Sequence, residues 1–121
     1  MGRYRLSAAA QSDVAGILAW SQEQFGESAR KRYQALLSAA LRDVAAQPEG
    51  IGAIRRPELG DDFVTWHLRL SRNHVPSTVG TVQRPRHLLV YRHVESVVEV
   101  VRVLHDSMEL SRHLEDGQRT D

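Results

Sequence analysis

The chain has 121 residues, one domain's worth, with no cysteine and a net charge of +1. The absence of cysteine excludes a disulfide framework and any thiolate metal site. No apolar run approaches the about 18 residues of a membrane-spanning helix, and residues 1–7 lack the apolar stretch of a signal peptide, so a soluble cytoplasmic chain is expected.

Residues 3–7 alternate Tyr4 and Leu6 with Arg3, Arg5 and Ser7, the period of a half-buried strand. Ser7 is placed to cap a following helix by accepting from an unpaired backbone N–H. Asp13 lies near enough to that start to favour the positive end of the helix dipole. Val14, Ile17, Leu18 and Phe25 fall near one helical face, with Trp20 at its flank, and Gly26 suits the position just past the end. The strongest periodic signal comes next, where Tyr33, Leu36, Leu37, Ala40, Leu41 and Val44 repeat at helical spacing. Glu27 opens this second helix and Pro48 lies just beyond it. The tight link at Gly26 predicts an antiparallel helical hairpin.

Residues 48–63, punctuated by Pro48, Gly50, Gly52, Pro57 and Gly60, read as a crossing loop. Trp66, Leu68 and Leu70 then alternate with Thr65, His67, Arg69 and Ser71, which predicts a strand with one wet face. Residues 73–85 contain Asn73, Pro76, Ser77, Gly80 and Pro85 and read as a polar loop or an extended hairpin arm. Residues 87–92 form a further strand and residues 93–96 a turn. Val97 to His105 is the last strand, and its β-branched, two-sided apolar character suggests a central place. A short helix over 108–114 precedes a charged tail, 115–121, with nothing to bury. The expected fold is α+β: an N-terminal strand and an antiparallel helical hairpin packed on a small antiparallel sheet. The order is β-α-α-β-β-β with a short C-terminal helix, in one domain over residues 1–114.

Charge is uneven along the chain. Residues 1–50 carry six basic and five acidic side chains, residues 51–92 seven and three, and residues 93–121 three and seven. The basic middle either meets an acidic partner or is an ordinary solvated surface. Six histidines invite a metal, but no H-x-x-x-H pair occurs and none is expected to be bound. There is no glycine-rich phosphate loop and no marked serine nucleophile, so no cofactor is expected. Arg69, Arg86, Arg92 and Arg102 lie on or beside predicted strands, flanked by Arg55, Arg56, Arg72 and Arg84. On one sheet face they form either a basic surface of bidentate donors, which His67 and His87 can join, or simply the wet side of the sheet. His105 ends the last strand and is a candidate general acid/base or a hydrogen-bonded structural residue.

Several stretches carry a family likeness. They are Tyr4-x-Leu6-Ser7, Ala10 with Asp13 and Ile17, and Gly26-x-x-Ala29-x-x-x-Tyr33-x-x-x-Leu37. Ala46-x-Pro48 with Gly50 and Gly52, Arg56-Pro57-Glu58-Leu59 and Tyr91-Arg92 follow. The most specific is Val101-Arg102-Val103-Leu104-His105-x-x-Met108-Glu109 with Arg112-His113-Leu114. In this order, over nearly the whole chain, they resemble the ParE branch of the ParE/RelE superfamily of bacterial type II toxin–antitoxin modules. The resemblance implies a helical hairpin on an antiparallel sheet. It also implies a toxin neutralised by a ParD-like antitoxin that wraps it in a hetero-oligomer, and inhibition of DNA gyrase by protein contact. DNA would be met only indirectly, through the antitoxin. The chain departs from the family's pattern at residues 73–85, where a short turn is usual.

On this reading Trp20, Arg30, Arg69 and Arg86 are expected to bind the antitoxin, by helix-in-groove and strand-edge contact. His105, Met108, Glu109 and Arg112 are expected to meet the target. A competing reading is a RelE-type, ribosome-dependent mRNA endonuclease, with His105 as acid or base and Arg69 or Arg92 holding phosphate. A third is a non-toxic family member that only binds its antitoxin.

Overall fold

Ser7 closes the first strand and opens the first helix. In the computed structural model, which describes residues 2–108, 110 and 112, its hydroxyl accepts from the Ala10 N–H at 3.0 Å and donates to the Val101 carbonyl at 2.8 Å. One side chain thus starts α1 (Ala8–Phe25) and pins β1 (Arg3–Leu6) beside the last strand. Gly26 ends α1 at φ +94°, a backbone conformation costly for any side chain, and α2 (Glu27–Ala46) begins at the next residue. The helical hairpin is therefore as predicted. Its second helix buries Leu36, Leu37, Ala40, Leu41 and Val44, and each buried leucine contributes about 1.5–3 kcal/mol.

Four further strands follow: β2 (Ile54–Arg55), β3 (Phe63–His67), β4 (His87–Val94) and β5 (Val97–His105). They form one sheet in the order β1-β5-β4-β3-β2. Neighbours are antiparallel except at one edge, where β1 runs parallel to β5 with Arg3 opposite Val97 and Leu6 opposite Val100. The sheet is therefore mixed, which corrects the antiparallel expectation. Alternation reports which face of a strand is buried, and carries no information on the direction of a neighbour 94 residues away along the chain. β5 has the predicted bounds and lies inside the sheet, but the middle strand is β4.

β2 lies within the stretch read as a loop. β3 ends at His67, and Leu68–Ser71 wind into a 3-10 turn whose Arg69 N–H is accepted by His67 Nδ1 at 3.1 Å. Nor does β3 have a wet face: Phe63, Val64, Thr65 and Trp66 are all buried, because apolar side chains cover both sides of the sheet. On the front, the hairpin packs Leu36, Leu37 and Val44 against Trp66, Leu89, Tyr91, Val98 and Val100. On the back, Phe63, Leu88, Val90 and Leu104 form a second cluster flanked by Leu59, Val101 and Leu110. Phe25, expected on the buried face of α1, is 69 % exposed. The helix expected over 108–114 falls largely, and the tail over 115–121 wholly, outside the described residues. Among the described residues, no helix is long and apolar enough to cross a membrane.

Candidate functional site

A bulge in β5 sets the site. The β4–β5 register shifts by one residue after Val90, so that Val90 faces Arg102 while Tyr91 faces Val100. The bulged stretch turns Arg102 towards α1, where its guanidinium donates to both carboxylate oxygens of Asp13, at 2.7 and 2.9 Å. The Val103 N–H donates to the same carboxylate at 2.9 Å. Asp13 thus locks α1 onto β5, because it sits past the first turn of the helix and faces the sheet. Trp20 follows seven residues later, close to two helical turns, and so projects on the same side near the end of β5.

There Trp20 and Phe25 stand exposed, 55 % and 69 %, with their rings edge to face at 5.6 Å. They border a groove of 530 Å³ between the end of α1, the start of α2 and the segment 81–87. Ile17, Tyr33 and His87 line it, and Arg84 and Arg86 add cations. A second hollow of 490 Å³ adjoins it and runs along β5 to Met108, sharing Ile17, Trp20, His87 and His105.

Tyr33 and His87, on the floor of the groove, are uncharged near neutrality. The Tyr33 hydroxyl lies within hydrogen-bond distance of His87 Nδ1, at 2.6 Å, and accepts from the Arg86 N–H at 3.2 Å. Burial pushes the Tyr33 phenol up to about 12. Burial, then the neighbouring His105, brings His87 down to about 4. His105 packs edge to face on His87 at 5.3 Å, and its Nδ1 lies 2.7 Å from Ser107 Oγ. Asp106 receives the Arg86 guanidinium at 3.0–3.2 Å and contacts His67 Nε2 at 2.9 Å. Those two hydrogen bonds, Arg86 first, hold its carboxyl at about 2. An apolar, neutral floor with cations at its side is suited to docking a protein segment, since the water it gives up is weakly held.

The structure brings together some of the residues singled out from sequence. Trp20 and Arg86 line the groove; Arg30 and Arg69 do not. Arg30 is turned to Gln22 and Gln34, at 2.8 and 2.7 Å. His105 and Met108 line the lower hollow, Arg112 is exposed, and Glu109 lies outside the described residues. Neither Arg69 nor Arg92 lines either hollow beside His105. Arg92 instead donates to Glu99 at 2.9 Å near the far end of β4, over the Phe63 ring. Burial raises the Glu99 carboxyl, but Arg92 and Arg5 outweigh it and hold the group below its usual range. The arginines seen as one basic face are thus largely paired one by one, to Asp13, Glu99 and Asp106. Among the described residues no group of three histidine or carboxylate side chains is placed to hold a metal ion.

Three site residues escaped the sequence reading, Phe25 as an exposed ring and Arg32 and Val82 in the groove, while Arg84, seen from sequence only as flanking the basic sheet face, lies on the groove wall. An aromatic pair five residues apart at the end of a helix was the available signal for Phe25. Nothing local marks residues 81–84, whose place depends on how the segment after β3 folds back.

A family model described as the ParE toxin of the type II toxin-antitoxin system, parDE, matches residues 4–110. No curated protein matches the chain.

Proposed function

The chain belongs to the ParE toxin family of type II toxin–antitoxin systems, and on that premise we propose that a ParD-like antitoxin neutralises it by seating an apolar segment in the groove beside Trp20. The observation that carries this reading is the exposed Trp20–Phe25 pair beside a neutral floor. Large rings left out at a concave surface mark a partner's site, and such rings supply much of the energy of protein interfaces.

The two hollows are continuous through Ile17, Trp20, His87 and His105. A segment anchored at Trp20 therefore extends over His105 and Met108. With Glu109 and Arg112, those residues form the stretch through which the toxin contacts DNA gyrase in this reading. Neutralisation is then direct masking: antitoxin and target compete for one surface. The work takes place in the cytoplasm, in a hetero-oligomer with the antitoxin, and DNA enters only through the antitoxin.

The test is a gyrase supercoiling assay with the purified chain. Inhibition is expected, with relief on adding the product of a neighbouring ParD-like reading frame, and with Met108→Glu losing inhibition at least tenfold. Unchanged supercoiling at excess chain contradicts the gyrase reading. Codon-phased mRNA cleavage lost in His105→Ala would favour the RelE-type chemistry instead.

A further inference from the structure

Residues 73–85 have no strand of their own, yet several contacts fix their course. His74 Nδ1 lies 2.7 Å from Asp43 Oδ2 on α2, and the same oxygen accepts from Ser71 Oγ at 2.6 Å. Val75 and Val82 pack on the front core, and Pro85 is buried. The Arg72 guanidinium donates to the Gln83 carbonyl at 3.0 Å. Gly80, at φ +97°, lies so close to the Arg32 side-chain stem that a Cβ there would come within 3.0 Å of it. The arm is thereby held against α2, and Thr81, Val82, Gln83 and Arg84 line the groove together with the Trp20 and Phe25 rings.

Two of the groove's cations are unspent. Arg86 is committed to Asp106. Arg32 and Arg84 also line the groove, and neither makes a side-chain hydrogen bond or ion pair among the described residues. Two unpaired guanidiniums beside Ile17, Trp20, Phe25 and Val82 call for an occupant with an apolar stripe and carboxylates flanking it. That is the chemistry of an acidic amphipathic helix.

We propose that the arm over residues 73–85 is a third wall of the groove, and that its Arg84, together with Arg32 of α2 against which the arm packs, reads acidic side chains of the antitoxin's docked helix. This rests on the antitoxin reading above and names the part of the partner that the site recognises. Charge pairing at such a rim governs association and partner choice more than total affinity, so its signature is salt dependence and rescue.

The experiment titrates the neighbouring ParD-like protein against the full chain, the double variant R32E/R84E, the double variant R32K/R84K and Trp20→Ala, each checked for an unchanged melting curve. The charge reversal is expected to weaken binding at least tenfold at low salt, with the gap closing as salt rises. The lysine variant is expected to keep binding within about threefold. Glutamate-to-lysine changes on the antitoxin helix are expected to restore binding to R32E/R84E. If Trp20→Ala weakens binding but R32E/R84E stays within twofold, the groove reading stands and the arm's role is overturned. If the antitoxin binds and none of these variants matters, both are overturned, as they are if the wild-type chain binds no such partner.

Discussion

His87 is kept neutral by the fold, and that sets how stability depends on acid. Its ordinary value is 6.5 and burial against Tyr33 and His105 lowers it to about 4. The unfolded chain therefore takes up a proton at higher pH than the folded one. The stabilising contribution is complete above pH 6.5 and is lost as pH falls towards 4. The ring is partly exposed, which limits the effect to about 1–2 kcal/mol. Asp106, held at about 2 by Arg86 and His67, loses its contribution in a lower window, between its ordinary 3.8 and 2. Urea unfolding at pH 7 and pH 4.5 should show the wild type losing about 1–2 kcal/mol more than His87→Gln, whose amide offers both a donor and an acceptor to the Tyr33 hydroxyl without titrating. Equal losses would show that His87 is not the group responsible. At this scale the sequence was a partial guide. Ser7 is legible as a cap because its partner is three residues away. Asp13 is not, because Arg102 lies 89 residues on.

Among the elements, β5 was legible to the residue, since a β-branched run has few other uses. Its bulge was not, and the bulge is what aims Arg102 at α1 and sets His105 against the groove. β3 was read too far along the chain because Leu68 and Leu70 continue its alternation while the backbone has already turned into a 3-10 coil. The parallel β1–β5 edge has no local signature at all. The β4–β5 connection makes an element-scale prediction. Val94 pairs with Val97 across Glu95 and Ser96, whose φ values are +48° and +68°. Two positive values in a two-residue loop are those of a type I′ hairpin turn, which favours Asn-Gly. Replacing the pair by E95N/S96G should raise the unfolding free energy by about 1 kcal/mol, read as a higher urea midpoint at unchanged m. A lower or unchanged midpoint would mean that the loop is not strained in this way.

For the molecule as a whole, the fold class and the family were legible because they rest on patterns spread over nearly the full chain. The groove was not, because it brings a helical hairpin whose lining ends at Tyr33 against a segment that begins only at Thr81 and a strand end at His105. Its position explains how one partner can cover both the Trp20 ring and the strand end that leads to Met108. Hydrogen exchange of the chain alone and bound to the ParD-like protein tests this most directly. Slowed exchange is expected in residues 13–25, 81–87 and 103–108, the lining of the two hollows. Slowing confined to the outer side of α2 around Arg30, or to the β1 edge, with those three stretches unchanged, would contradict it.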